Sequence, residues 1–156
     1  MWTPLLILSG CAYFDPELGA AIEYIEKVQP LMAENSLLAE RTLVLASELH
    51  DKKADDAKVL EVWTNEIVPL SQHLHMQAGQ LDPPELWKDS HGELVTIWTD
   101  RTAAYRDFGE AIVLADSERW DRARTQYQTM IDREQAWFQG TAARLQPYEL
   151  TLEQYP

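Results

Sequence analysis

Residues 87–115 read WKDSHGELVTIWTDRTAAYRDFGEAIVLA, and Trp87, His91, Leu94, Trp98, Arg101, Tyr105, Phe108, Ile112 and Ala115 recur through them at alternating four- and three-residue steps. Such a row is one face of an α-helix that packs in a bundle. Two of its members, His91 and Arg101, are polar at positions that predict burial. The row therefore points to a fold and also to side chains that need partners.

Working outward, Asp116-Ser117-Glu118 reads as a short turn and cap. A further helix follows with Trp120, Ala123, Tyr127, Met130, Glu134, Trp137, Thr141 and Leu145 on its seam, and Pro147 ends it. On the other side, Leu81-Asp82-Pro83-Pro84-Glu85 is the clearest breaker, because a proline pair cannot continue a helix although Pro84 can open the next one. Before it, Leu60, Trp63, Ile67, Leu70, Leu74, Gln77 and Leu81 form another seam, with Pro69 inside it removing a backbone hydrogen bond and predicting a kink. Asp51-Lys52-Lys53-Ala54-Asp55-Asp56 is the preceding turn. The first helix runs from Asp15-Pro16-Glu17, an N-cap, a first-position proline and an acidic first turn, to about His50, interrupted or kinked near Pro30.

No stretch of alternating β-branched residues argues for strands, so the class is all-α. Short connections force neighbouring helices to run back along each other. The expected fold is an antiparallel up-down-up-down four-helix bundle over residues 16–147, with a short polar tail at 148–156.

At 156 residues the chain is expected to be one domain with a real core. Its 26 acidic and 13 basic residues give a net charge of −13, which disfavours a nucleic-acid partner because phosphate binding needs Lys and Arg. The same charge repels anionic lipid, so membrane association has to come from something other than the folded body.

That something is legible at the start, where the uncharged run Leu5-Leu6-Ile7-Leu8 leads into Ser9-Gly10-Cys11, the chain's one cysteine. Leu8-Ser9-Gly10-Cys11 resembles the lipobox of bacterial lipoproteins, in which two small residues precede the cleaved bond. The resemblance implies a signal peptide at 1–10, a diacylated Cys11 as the new N-terminus and a tether at 11–15. It further implies residence in a bacterial cell envelope, on the outer face of a membrane. Ala12 in place of Asp implies the outer membrane where the host has two. A transmembrane span is excluded for this run, since roughly 20 apolar residues are needed and it ends at Gly10.

Candidate chemistry is sparse. The Glu-x-x-His pairs of helical di-metal centres are missing, and Glu48-Leu49-His50 has the wrong spacing. If the hairpin between the second and third helices turns at Asp82-Pro83, His73 comes near the level of His91, and two imidazoles there are candidates for a transition metal. The weightier expectation is a core His91 and a solvated His73, with no metal and no cofactor. The same mirror relation about Asp116-Ser117 sets Arg101 near Glu134, an expected buried ion pair that fixes register. The five tryptophans after Cys11, at 63, 87, 98, 120 and 137, are core fillers, some only partly covered, and an uncovered aromatic patch marks a partner or ligand groove.

The expected function is that of a lipid-anchored binding or scaffold subunit without catalysis, its partners being the membrane, through the lipid, and an envelope protein. Two alternatives are a small-ligand or metal carrier with a site around His73, His91, Arg101 and Glu134, and a cytoplasmic helical adaptor whose leader stays in the fold.

Overall fold

A computed structural model of the chain describes residues 15–51 and 55–153. The apolar run, the lipobox-like Leu8-Ser9-Gly10-Cys11 and residues 154–156 lie outside them. Four helical rods pack against one another, with no strand among the described residues. The first, α1, spans Pro16–His50. The second begins as α2, Asp56–Val62, passes through a π-helical turn at Trp63–Ile67, and continues as α3, Val68–Gln80. The third and fourth are α4, Lys88–Leu114, and α5, Ser117–Leu145. With 35 residues, α1 is about 50 Å long. No helix among the described residues is long and apolar enough to cross a membrane.

Aspartates start three of these helices. Asp15, Asp55 and Asp116 each turn a carboxylate oxygen back to a first-turn backbone N–H, those of Glu17, Lys58 and Arg119, at 2.8–2.9 Å. Each bond satisfies one donor that the helix itself cannot. Ala115 ends α4 in the left-handed region at φ 50°.

Cross-helix contacts establish the antiparallel order. Along α1 and the second rod, Glu48 meets Lys58, Arg41 meets Glu66, Glu34 meets His73, and Lys27 meets the Asp82 carbonyl. Between α4 and α5, Trp137 reaches Ser90, Arg133 reaches Asp100, and Phe108 packs on Trp120. The diagonal pair α1 and α4 runs parallel, with Tyr24 beside His91 and Thr42 beside Tyr105.

On the α4 seam, Trp87 through Phe108 are buried, Ile112 is half-buried and Ala115 is exposed. The second rod buries Trp63, Ile67 and Leu74 of its expected seam but departs from the rest. Gln77 is exposed, whereas Ser71 and Ala78 are fully buried. The π turn is the reason: the Val68 N–H bonds the Trp63 carbonyl five residues back, and the extra residue turns the later face by one position. Pro69 follows directly, so the irregularity falls where the proline already denies the helix a donor. Pro30, by contrast, sits exposed in an α1 that continues through it without interruption.

The C-terminal segment is more than a solvated tail. Leu152 is buried, Gln29 exchanges two hydrogen bonds with the Glu153 backbone, and the Tyr148 hydroxyl donates to Glu17 at 2.7 Å. These contacts fasten residues 148–153 along the first half of α1.

Candidate binding cavity

His73 and His91 do not converge. His91 is buried, its Nε2 donating to the Ala78 carbonyl at 2.8 Å and its Nδ1 facing the Tyr24 hydroxyl at 3.4 Å. His73 is surface-exposed, 3.8 Å from Glu34 of α1. The expected shared level fails because a 3-10 turn at Glu85–Trp87 prolongs the connection and moves the centre of the hairpin toward α4. The histidine of this stretch that turns inward is the half-buried His75, whose Nδ1 lies 3.2 Å from the Thr102 hydroxyl. Among the described residues, no group of three or more His, Cys, Asp or Glu is placed to hold a metal.

Arg101 and Glu134 do meet, at 3.1 Å, with the arginine side chain 6% and the glutamate 17% exposed. They belong to a closed polar ring. Glu134 accepts from Trp98 Nε1 at 2.7 Å, from Asn35 Nδ2 at 2.9 Å and from Arg101 Nη1, while Arg101 Nη2 donates to Asn35 Oδ1 at 2.6 Å. Three donors occupy the carboxylate, which suits it to hold three helices in register and leaves it poorly placed as a general base. Asn35 carries no signal in the sequence, since its neighbours on α1 are half-buried and follow no clean seam.

One to two turns away, toward the end where α1 joins α2 and α4 joins α5, lies a half-open chamber of about 400 Å3. Trp63, Tyr105, Phe108, Trp120 and Tyr127 wall it, with Thr42 and Leu45 of α1, Val59 and Ile112 completing the apolar surface and exposed Arg124 at the rim. The rings meet mostly edge to face. Trp63 to Tyr105 is 5.3 Å at 89°, Trp63 to Phe108 5.7 Å at 78°, and Phe108 to Trp120 4.9 Å at 65°. Such pairs contribute about 0.5–1.5 kcal/mol each beyond their burial, so the rings favour one another's placement. The π turn brings Trp63 into this position, and its indole N–H is tied to the Tyr105 carbonyl at 2.6 Å. Gly109 lies under that indole, where a methyl group would stand 3.4 Å from Trp63 Cδ1.

Tyr105 and Tyr127 also line a second, more enclosed space of about 180 Å3 that borders Arg101, Glu134, Asn35 and Ser36. Their two hydroxyls stand 3.5 Å apart, and the Thr42 hydroxyl is 3.4 Å from Tyr105. Desolvation, the main cause, pushes the Tyr127 phenol well above its ordinary range, and its contact with Tyr105 adds to this. Tyr24 is raised by burial as well, against a smaller opposing pull from Arg144. Both phenols are therefore proton-bearing donors.

This has a measurable consequence in alkali. Above about pH 10 the unfolded chain releases these two protons while the fold retains them. Unfolding is then favoured by about 1.4 kcal/mol per pH unit per tyrosine. Urea denaturation between about pH 9 and about pH 11 should show that falling slope, reduced in Tyr24→Phe and Tyr127→Phe.

Comparison with known proteins yields no match. Neither a protein-family model, a curated protein nor a solved structure aligns significantly with the chain. The functional reading therefore rests on the residues themselves. The mirror relation that pairs Arg101 with Glu134 also pairs Tyr105 with Tyr127, so the aromatic wall between α4 and α5 had a sequence signal. The α1 and α2 walls had none.

Proposed function

We propose that this chain is a lipid-anchored helical-bundle protein of a bacterial envelope that works by binding, with no chemistry of its own, and that its binding element is the aromatic chamber. The observation that carries the binding reading is the chamber's combination of about 400 Å3 of space, aromatic walls and an open mouth. Pockets of 300–1,000 Å3 with apolar walls and few polar groups are the usual form of small-molecule sites. The anchor rests on Leu8-Ser9-Gly10-Cys11. Thr42 follows Asp15 by 27 helical residues, so a tether at the start of α1 would hold the chamber about 40 Å further out. A site for apolar molecules at that distance samples the aqueous envelope space. Exposed Leu37, Leu43 and Val44 on the same half of α1 support a protein partner beside it.

The fluorescent probe N-phenyl-1-naphthylamine tests the chamber. Energy transfer from tryptophan to bound probe is expected in the native chain. Ile112→Trp, which fills the space with a second indole, should abolish it while the bundle still unfolds cooperatively. Equal probe binding by the native and filled proteins would place the binding elsewhere.

A further inference from the structure

We infer that the aromatic chamber and the smaller polar space behind it form one ligand site, and that its ligand is an apolar molecule bearing a carbonyl-type hydrogen-bond acceptor. The inference rests on the binding reading above and adds the chemical class of what is bound. Tyr105 and Tyr127 are the partition between the two spaces, since both line each of them. Outside the partition the walls are hydrocarbon and aromatic. Inside it, the polar groups are already committed, with two exceptions.

The first exception is Arg101. It is 5% exposed, lines the inner space, and both of its terminal nitrogens have partners, but its Nε has none among the described residues. A buried guanidinium N–H without an acceptor is costly, and a ligand oxygen or a water would relieve it. The second is Tyr127. Among the described residues its hydroxyl meets only that of Tyr105, at 3.5 Å, the outer limit for an O–H···O bond. The Thr42 hydroxyl beyond them is already satisfied by the Leu38 carbonyl at 2.8 Å.

Both vacant groups are donors, and both belong to residues that line the inner space. Glu134, the one acid there, already accepts three N–H groups, two on Oε1 and one on Oε2, so little of its acceptor capacity is left for a ligand donor. It also cancels the Arg101 charge, so the space calls for a neutral acceptor and not for a carboxylate. An aryl or short-chain ketone fits: its hydrocarbon part lies among Trp63, Phe108 and Trp120, and its oxygen takes the Tyr127 O–H on the side of the space that Arg101 lines.

Butyrophenone and n-butylbenzene, which differ only by carbonyl against methylene, make the test. Each is titrated into the full chain against bound N-phenyl-1-naphthylamine, with wild type and Tyr127→Phe compared. The ketone should lose about fivefold in affinity in the variant, the value of one net hydrogen bond, while the hydrocarbon is unchanged. In the wild type the infrared carbonyl band of bound butyrophenone should lie below its position in hexane, a readout that needs no variant. If both compounds displace the probe, neither responds to Tyr127→Phe and the carbonyl band stays at its hexane position, the acceptor inference is overturned and the apolar chamber stands. If neither compound nor the probe binds, the binding reading falls with it.

Discussion

Glu134→Ala is expected to destabilise the bundle by about 3–5 kcal/mol, the loss seen when one partner of a buried ion pair is removed. For a chain of this size that is a fall in melting temperature on the order of 10 °C. The loss is large because three groups are orphaned together. Trp98 Nε1, Asn35 Nδ2 and Arg101 Nη1 all donate to this carboxylate, and Arg101 is held in place over the Trp98 ring, with its guanidinium carbon 5.5 Å from the centroid. The charge is the main part of it. Replacing the pair together, as Arg101→Met with Glu134→Leu, removes the unmatched cation and should recover most of the stability, because buried ion pairs and apolar pairs of similar volume are often equivalent. Thermal unfolding of the three proteins, followed by circular dichroism, checks both statements. A single variant as stable as wild type would mean that the ring does not hold the helices.

Cys11→Ser is expected to move the protein from the membrane fraction to the soluble one. Each buried methylene adds about 0.8 kcal/mol to membrane affinity, and two acyl chains give stable anchoring where one gives marginal binding. A hydroxyl at the same position accepts no thioether-linked diacylglycerol. The acidic body, at net charge −13, supplies no electrostatic attraction to replace it. Fractionation of the native host, with intact-mass measurement of the membrane-bound species, should give a chain beginning at Cys11 and carrying diacylglycerol. An unmodified chain that retains Met1 or Trp2 would contradict the anchor and favour the soluble adaptor.

How far the sequence could be read follows from where periodicity governs packing. Along α4 and α5 the four-three rows describe straight helices, so the buried faces, the Arg101–Glu134 contact and the antiparallel order were all accessible from spacing. The second rod was legible only in part beyond the π turn at Trp63–Ile67: Leu74 is buried as its spacing required, but the added backbone residue turns Ser71 and Ala78 inward and Gln77 out. The His73–His91 pairing failed for a related reason: a 3-10 turn at Glu85–Trp87 shifts a hairpin centre by residues that a simple mirror count cannot supply. The chamber was hidden more deeply. It is defined by space that side chains from four rods leave unfilled, and an unfilled volume has no residue pattern of its own. Even so, the coincidence of Tyr105 and Phe108 with Trp120 and Tyr127 across one short turn was a visible sign of an aromatic cluster.

Binding of a small apolar molecule among those rings would be felt first by the indoles that line them. Its most direct measurement is the set of tryptophan indole N–H resonances during titration of the full chain with N-phenyl-1-naphthylamine. Trp63 and Trp120 wall the chamber, whereas Trp87 and Trp137 lie at the opposite end of the bundle, beside Tyr24 and Ser90. Saturable shifts are expected at Trp63 and Trp120 with Trp87 and Trp137 unmoved; shifts confined to Trp87 and Trp137, or none at saturating probe, would contradict binding in the chamber.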